Sequence, residues 1–475
     1  MNNILKAFFG LLMFFCVKLN AQNHLTFDIS KYEIQNQEFE GKTIKVRAFE
    51  RIVYIANPTD IVQQIINIYI PEEYFIGGIL NGYTATTAPI FFPNKVGGYM
   101  PAQPATFLNN PQRGGMGGPS NNAISTALAR GFIVASAGVR GRTSQLGKAP
   151  AGIVDLKAAV RYLKFNDKTM PGDANKIISN GTSAGGAMST LLGATGNHPD
   201  YEPYLKELGA ANESDDIFAV SAYCPIINLE NADMAYEWQL NKIHNYSFRG
   251  KEGTLNDMAL KVSMDLKNAF PNYLNSLNLK DSKGKKLVLD SDGNGNFKEL
   301  VISYLIASAQ KSLNSSEDLS KFSFLKIQNG KVSSLDFDGY MIYLERMKTP
   351  PAFDALDNKS FENNLFGNAS IDNRHFTDYS LKNSIESNPL KADQLQVKMM
   401  NPMNYIGTKS ANTSKYWGVR HGAKDRDTGF AVPIILATTL QNKGFNIDFA
   451  LPWSKPHSGD YDLKELFDWV DKICK

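Results

Sequence analysis

Apolar residues in the first third of the chain gather in short runs, Thr43–Phe49, Val53–Ala56, Ile65–Ile70 and Phe132–Ser136. Their length predicts buried strands rather than helices. Two more runs of this kind, Trp417–Arg420 and Ile447–Leu451, stand near the other end, and between them Thr428 to about Gln441 reads as a helix closed by Gly444. Asp173 to Asn180 reads as a turn and a strand, and Ala184–Leu192 is small and apolar on every side, the pattern of a helix packed on a sheet. From Asn228 onward the period changes. Met234–Ile243, Met258–Ala269, Phe297–Leu313 and Leu335–Met347 repeat at helical spacing, joined by polar Lys- and Asn-rich links such as Leu279–Lys286. The pattern therefore divides the chain into a leader (1–21), a first sheet segment (22–224), a mainly helical insertion (225–395) and a second sheet segment (396–475). No internal repeat appears.

The leader changes the picture of where the protein works. Met1–Ala21 carries Lys6, an apolar stretch Ala7–Val17 and a polar end closing on a small residue, which is the layout of a cleaved signal peptide and is too short to span a membrane. Cys16 follows the bulky Phe15, where a lipid-anchoring site wants a small residue. The expectation is a secreted or periplasmic protein without a membrane anchor. The formal net charge is +3, and loss of Lys6 and Lys18 with the leader leaves +1, a balance that argues against nucleic acid or another polyanion as partner. The expected assembly is a monomer. Cys224 and Cys474 remain after cleavage, either as one disulfide or as two inert buried thiols.

Chemistry enters at Gly181-Thr182-Ser183-Ala184-Gly185, directly after the apolar pair Ile177-Ile178. A strand running into Gly-x-Ser-x-Gly and then into a helix is how an α/β-hydrolase holds a nucleophilic serine at a strained turn. Side chains at the flanking glycines would strike the neighbouring strand or helix. That fold supplies its triad in the order Ser, acid, His. Of His24, His198, His244, His375, His421 and His457, only the C-terminal stretch offers the layout: Asp425 follows one strand, and His457 lies in the loop after the next. The triad is read as Ser183, Asp425 and His457. Asp425 is also suited to capping the helix that follows it, and His421 is the rival base, although it shares the acid's own loop. The fold class is thus an α/β-hydrolase sheet domain with a large, mainly helical lid inserted between nucleophile and acid.

Several blocks, in order, resemble the bacterial tannases (tannin acylhydrolases): Gly181–Gly186, Lys348-Thr349-Pro350-Pro351-Ala352-Phe353-Asp354-Ala355-Leu356-Asp357, Phe361-Glu362-Asn363, His421–Thr428, Leu451-Pro452-Trp453 and Pro456–Tyr461. The resemblance covers essentially the whole chain after the leader. It implies the same triad, and it assigns Lys348, Glu362 and Asp427 to the hydroxyls of a galloyl ring. Two carboxylates accept from phenolic hydroxyls and an ammonium donates to a phenolic oxygen, so the assignment is chemically coherent. From their spacing alone, Lys348 and Glu362 read as solvated surface charges. Fungal tannases and feruloyl esterases place cysteines beside the triad serine and histidine; here Thr182 and Ser458 stand there.

The implied reaction is hydrolysis of galloyl esters of tannins or simple alcohols through an acyl-enzyme, with no cofactor required. The alternatives are a feruloyl or other phenolic-acid esterase with the same triad, and a catalytically silent hydrolase-fold binding protein, which an intact triad disfavours. An oxyanion hole is expected from the backbone amides of Ala184 and of Gly97, preferred over Gly98 in the early loop Val96-Gly97-Gly98-Tyr99. Gly114-Gly115-Met116-Gly117-Gly118 reads as surface loop. Asp290-Ser291-Asp292-Gly293-Asn294-Gly295-Asn296 matches the front of a calcium loop, making Asp290, Asp292 and Asn294 candidate ligands for structural Ca²⁺. The twelfth position is Val301, with Glu299 the nearest acid, and a metal-free polar turn is the competing reading.

Overall fold

Among residues 25–108, 121–248 and 250–475, which the computed structural model describes, the strands form one large sheet and two hairpins. In chain order they are β1 (Glu33–Phe39), β2 (Lys42–Val53), β3 (Ile65–Pro71), β4 (Pro89–Pro93), β5 (Ile133–Ala137), β6 (Asp173–Thr182), β7 (Ala219–Tyr223), β8 (Asn245–Phe248), β9 (Lys251–Thr254), β10 (Leu325–Gln328), β11 (Lys331–Leu335), β12 (Tyr416–Arg420) and β13 (Asn446–Ala450). The nine-stranded sheet has the order β1-β2-β3-β5-β4-β6-β7-β12-β13. Pairing is antiparallel from β1 to β5 and parallel from β5 through β4, β6, β7 and β12 to β13. This is the α/β-hydrolase architecture.

The expected run Val53–Ala56 is not a strand of its own. Val53 ends β2, which continues past a register shift between Phe49 and Ile52; there Arg51 takes a positive φ and donates its N–H to Asn67 Oδ1 at 2.9 Å. β4 lay hidden in the sequence because prolines bracket it. It is nevertheless buried at every position, as are β5 and β7, since helices cover both faces of the parallel part of the sheet. Every residue of the helix Ala184–Ala194 is buried too, which is why it has no polar face. The C-terminal helix Leu463–Cys474 is strongly one-sided and seats Phe467 against Phe91 and Phe132, 5.1 and 5.7 Å between ring centres.

The insertion between β7 and β12 carries the helices Leu229–Leu240, Asp257–Ser276, Asn296–Asn314 and Phe337–Leu344. The last is shorter than the run Leu335–Met347 suggests, because Leu335 ends β11 and Glu345, at φ 63°, turns the chain out of the helix. The hairpins β8–β9 and β10–β11 add strand to a segment whose spacing reads as helical. Trp238 gathers Phe270, Phe297 and Phe337 around it, and Tyr340 stacks on Phe430 and Trp453 of the sheet segments. Insertion and sheet therefore share one apolar core.

Candidate active site

The parallel register aligns the strand ends that carry the chemistry. Thr182 pairs with Tyr223, Tyr223 with Arg420, and Arg420 with Ala450, so Ser183, Cys224, His421 and Leu451 emerge along one edge of the sheet. Ser183 has φ 62° and ψ −124°, a conformation that side-chain-bearing residues rarely adopt and that functional turns retain. Both neighbouring glycines are required by space. A Cβ on Gly181 would lie 2.3 Å from the Gly185 carbonyl oxygen, and one on Gly185 would lie 2.7 Å from Asn94 Oδ1. The Ala184 amide opens the following helix, where no intrahelical carbonyl is available to it and the helix dipole favours negative charge.

His457 Nδ1 lies 2.7 Å from Asp425 Oδ2, as the spacing of acid and base predicts. Asp425 is fully buried. Burial alone would raise its pKa, but the adjacent His457 and His421 hold its carboxyl well below the ordinary carboxylate range. The same partnership works on His457: burial opposes its charge, and Asp425 overrules this and raises its pKa well above 6.5. His421 is buried with Nδ1 3.7 Å from Asp425 Oδ2, and burial lowers its pKa, so it lies behind the acid. The histidine loop is fastened over the nucleophile turn. Asn180 Nδ2 donates to Asp460 Oδ1 at 3.1 Å, Tyr223 Oη donates to Asp462 at 2.6 Å, and Arg420 Nε reaches the other Asp462 oxygen at 3.0 Å. Gly459 packs so closely on Thr182 that a Cβ there would stand 1.9 Å from its Oγ1.

Asn94, which carried no signal in the sequence, ties the loop after β4 to this turn: its Nδ2 donates to the Asn180 and Gly185 carbonyls and to Ser189 Oγ. The loop then passes through exposed Gly97, whose carbonyl accepts from Met100 N, to Gly98. Arg142, also unanticipated, donates Nε to the Gly98 carbonyl and an Nη to Asn364 Oδ1, joining this loop to the helix Phe361–Leu365.

That helix carries Glu362, and the structure brings Lys348, Glu362 and Asp427 together. Lys348 Nζ bonds Asp427 Oδ1 at 2.7 Å and lies 4.0 Å over the Phe353 ring. The two carboxylates raise the lysine's pKa against the pull of its burial. Glu362 is buried, and desolvation chiefly, with the Asp427 charge, pushes its carboxyl up to about 7 despite Lys348. These are not the solvated charges that their spacing alone suggests. Tyr236 Oη accepts the amides of Met347 and Lys348 and donates to the Arg426 carbonyl, while buried Arg346 pairs with Glu237 at 2.5 Å and donates to the Lys348 carbonyl. Asp427 N donates to Asp425 Oδ1 at 2.8 Å, so this charged trio and the triad share one loop.

Nearly the whole chain superposes on solved tannase structures. A tannin acyl hydrolase from Lactobacillus plantarum superposes with a TM-score of 0.91 at 46% identity, over 96% of this chain and 100% of that one. A Fusobacterium nucleatum tannase superposes at 0.90 with 49% identity, over 95% and 99%. The chain belongs to the tannase family. A family model described as BD-FAE matches residues 106–273. The Mycobacterium tuberculosis esterases LipC and LipQ match at 34% and 26% identity over 18% and 22% of this chain; the matched parts span only 20% and 23% of those proteins.

Some of the remaining sequence candidates fall outside the described residues. Gly114–Gly118 and the leader are outside them. In the Asp290–Asn296 loop, Asp290 Oδ1 accepts the amides of Asp292 and Asn294, and Lys298 Nζ donates to Asn294 Oδ1. Val301, at the twelfth position, is wholly buried in the core. Cys224 and Cys474 are free buried thiols, so the disulfide alternative is set aside.

Proposed function

We propose that Ser183, Asp425 and His457 hydrolyse galloyl esters, with Lys348, Glu362 and Asp427 reading the ring hydroxyls. The observation that carries this is the joining of the two trios through Asp427 N and Asp425 Oδ1, which places a hydroxyl-reading cluster beside an acyl-transfer triad. One solved tannin acyl hydrolase structure is a complex with ethyl gallate and another with 3,4-dihydroxybenzoate. Those ligands support the same ring chemistry here.

Ser183 Oγ attacks the ester carbonyl carbon while His457 Nε2 takes the hydroxyl proton and Asp425 holds the imidazolium at Nδ1. The tetrahedral oxyanion is met by the Ala184 and Gly97 amides; loss of one such donor costs about 10²–10³ in kcat. The C–O bond to the alcohol breaks as His457 returns its proton to the leaving oxygen. Water then repeats the sequence on the acyl-enzyme, releasing gallic acid and free Ser183. A ring lacking the hydroxyls leaves buried charges unpaired, a penalty that reaches roughly 10⁴-fold.

This reading assigns the chemistry to side chains and backbone and requires no cofactor. Calcium at Asp290, Asp292 and Asn294 has only a structural part in it: a rise in Tm with calcium supports that part, and an unchanged Tm removes it. The protein acts as a secreted or periplasmic monomer; no helix among the described residues is long and apolar enough to cross a membrane. Hydrolysis of methyl gallate beside methyl ferulate and methyl benzoate tests the function, with Ser183→Ala as control. A strong gallate preference abolished in the variant is expected. Equal rates on all three esters would leave the triad and remove the galloyl assignment.

A further inference from the structure

Behind the triad lie a thiol and a second imidazole that the esterase chemistry does not use. Cys224 and His421 follow the paired strand ends Tyr223 and Arg420, and Cys224 N donates to the Arg420 carbonyl at 2.7 Å. Both side chains are wholly buried. Cys224 Sγ, a ring nitrogen of His421 and a carboxylate oxygen of Asp425 all lie within 4.8 Å of one another. Cys224 Sγ bonds weakly to the Ser458 carbonyl at 3.5 Å, and the His457 side chain and the Gly422 backbone also interact with it. Neither ring nitrogen of His421 has a hydrogen-bond partner of ordinary geometry; Asp425 Oδ2 stands at 3.7 Å and the Thr428 backbone is near. Leaving buried polar atoms unsatisfied costs about 1–3 kcal/mol, so such atoms call for an explanation.

We propose that Cys224, His421 and Asp425 form a binding site for a soft divalent cation of the zinc and cadmium class, and that its occupation switches the esterase off. A thiolate, an imidazole and a carboxylate are the donors such a cation prefers, at about 2.0–2.3 Å each. Drawing atoms now up to 4.8 Å apart onto one ion requires rotamer shifts of roughly 1 Å, given those bond lengths. The step is not a redox one: the Cys224 S–H bond breaks, its proton leaves to solvent, the S–metal bond forms, and His421 contributes a lone pair. Asp425 is the shared group. Its Oδ2 now fixes His457 Nδ1, and a cation claiming that carboxylate withdraws the orienting partner from the base. Entry is past His457, which is partly exposed while the other three groups are not.

Titration of the intact protein with Co²⁺ tests the site without relying on the esterase reading. One equivalent is expected to produce a thiolate-to-cobalt charge-transfer band, absent in Cys224→Ala and weakened in His421→Asn. In parallel, Zn²⁺ or Cd²⁺ is expected to abolish methyl gallate hydrolysis reversibly, with EDTA restoring it. The inhibitory concentration in Cys224→Ala should rise about 10-fold or more. No charge-transfer band at excess Co²⁺ in the wild-type protein, or equal inhibition of a folded Cys224→Ala variant, overturns the proposal. A protein that binds Co²⁺ through Cys224 but hydrolyses no ester keeps the metal site and removes the esterase reading instead.

Discussion

Asp425 and His457 each hold the other in its charged form, and that sets a pH requirement. In the proposed mechanism His457 accepts the serine proton only when neutral, and its pKa is raised well above 6.5. The acidic limb of kcat/KM for methyl gallate is therefore expected above the ordinary histidine value. Asp425→Asn should lower the rate by about 10⁴-fold and move the limb down, because the partner that raises the pKa is gone. An unmoved limb would show that another group sets it. Glu362 supplies a second, separable prediction. Its carboxyl is raised from 4.5 to about 7 in the folded protein, so the native state binds the extra proton. Stability attributable to this group is fully present below 4.5 and is lost as pH rises through about 7. Glu362→Gln should thus be more stable than the parent above pH 7, by up to about 3 kcal/mol, and indistinguishable from it below 4.5. Its KM for gallate should rise while that for benzoate changes little. Denaturant melts at several pH values check the first, and initial rates the second.

At the scale of elements, the site depends on how two loops lock onto the nucleophile turn. The histidine loop passes Thr182 at a distance only glycine permits, so Gly459→Ala must push His457 away from Ser183. A misplacement of about 1 Å costs on the order of 10²-fold in kcat, and removing the obstructing atoms with Thr182→Ala should restore part of it. If the double variant is as slow as the single one, steric displacement is not the cause. Asn94 is the corresponding fastener of the early loop. Its Nδ2 makes three hydrogen bonds, and Asn94→Ala should lower kcat with little change in KM, since it holds a loop rather than the ring. None of these contacts shows in the chain's periodicity. Gly459 stands two residues from the histidine and reads only as a turn residue, and Asn94 follows a strand that Pro89 and Pro93 disguise.

Across the whole molecule, the insertion is not a detachable lid. Trp238, Phe297 and Phe337 join Tyr340, Phe430 and Trp453 in one apolar cluster, and Gln239 accepts the Phe430 amide at 2.7 Å. Both parts are expected to unfold together. Phe297→Ala, which empties a fully buried site in the insertion, should cost about 3–5 kcal/mol and lower one shared transition seen by circular dichroism and by activity loss. Two separate transitions would show an independently folding insertion.

Much of this was readable along the chain, because periodicity and glycine spacing are local properties. The runs at Ile65–Ile70 and Trp417–Arg420, the helix after Ser183 and the ordered motifs carrying Ser183, Asp425 and His457 all express local rules of strand, turn and helix. The resemblance of the blocks around Lys348, Glu362 and Asp427 added the family, and with it the proposed site roles, that spacing could not. Tertiary structure alone decided which charges are buried together. Lys348 and Glu362 read as surface groups until folding packs them against Asp427, and Cys224 meets His421 only because β7 and β12 are paired in register. Burial and juxtaposition belong to contacts between segments far apart in sequence, and no local pattern encodes them.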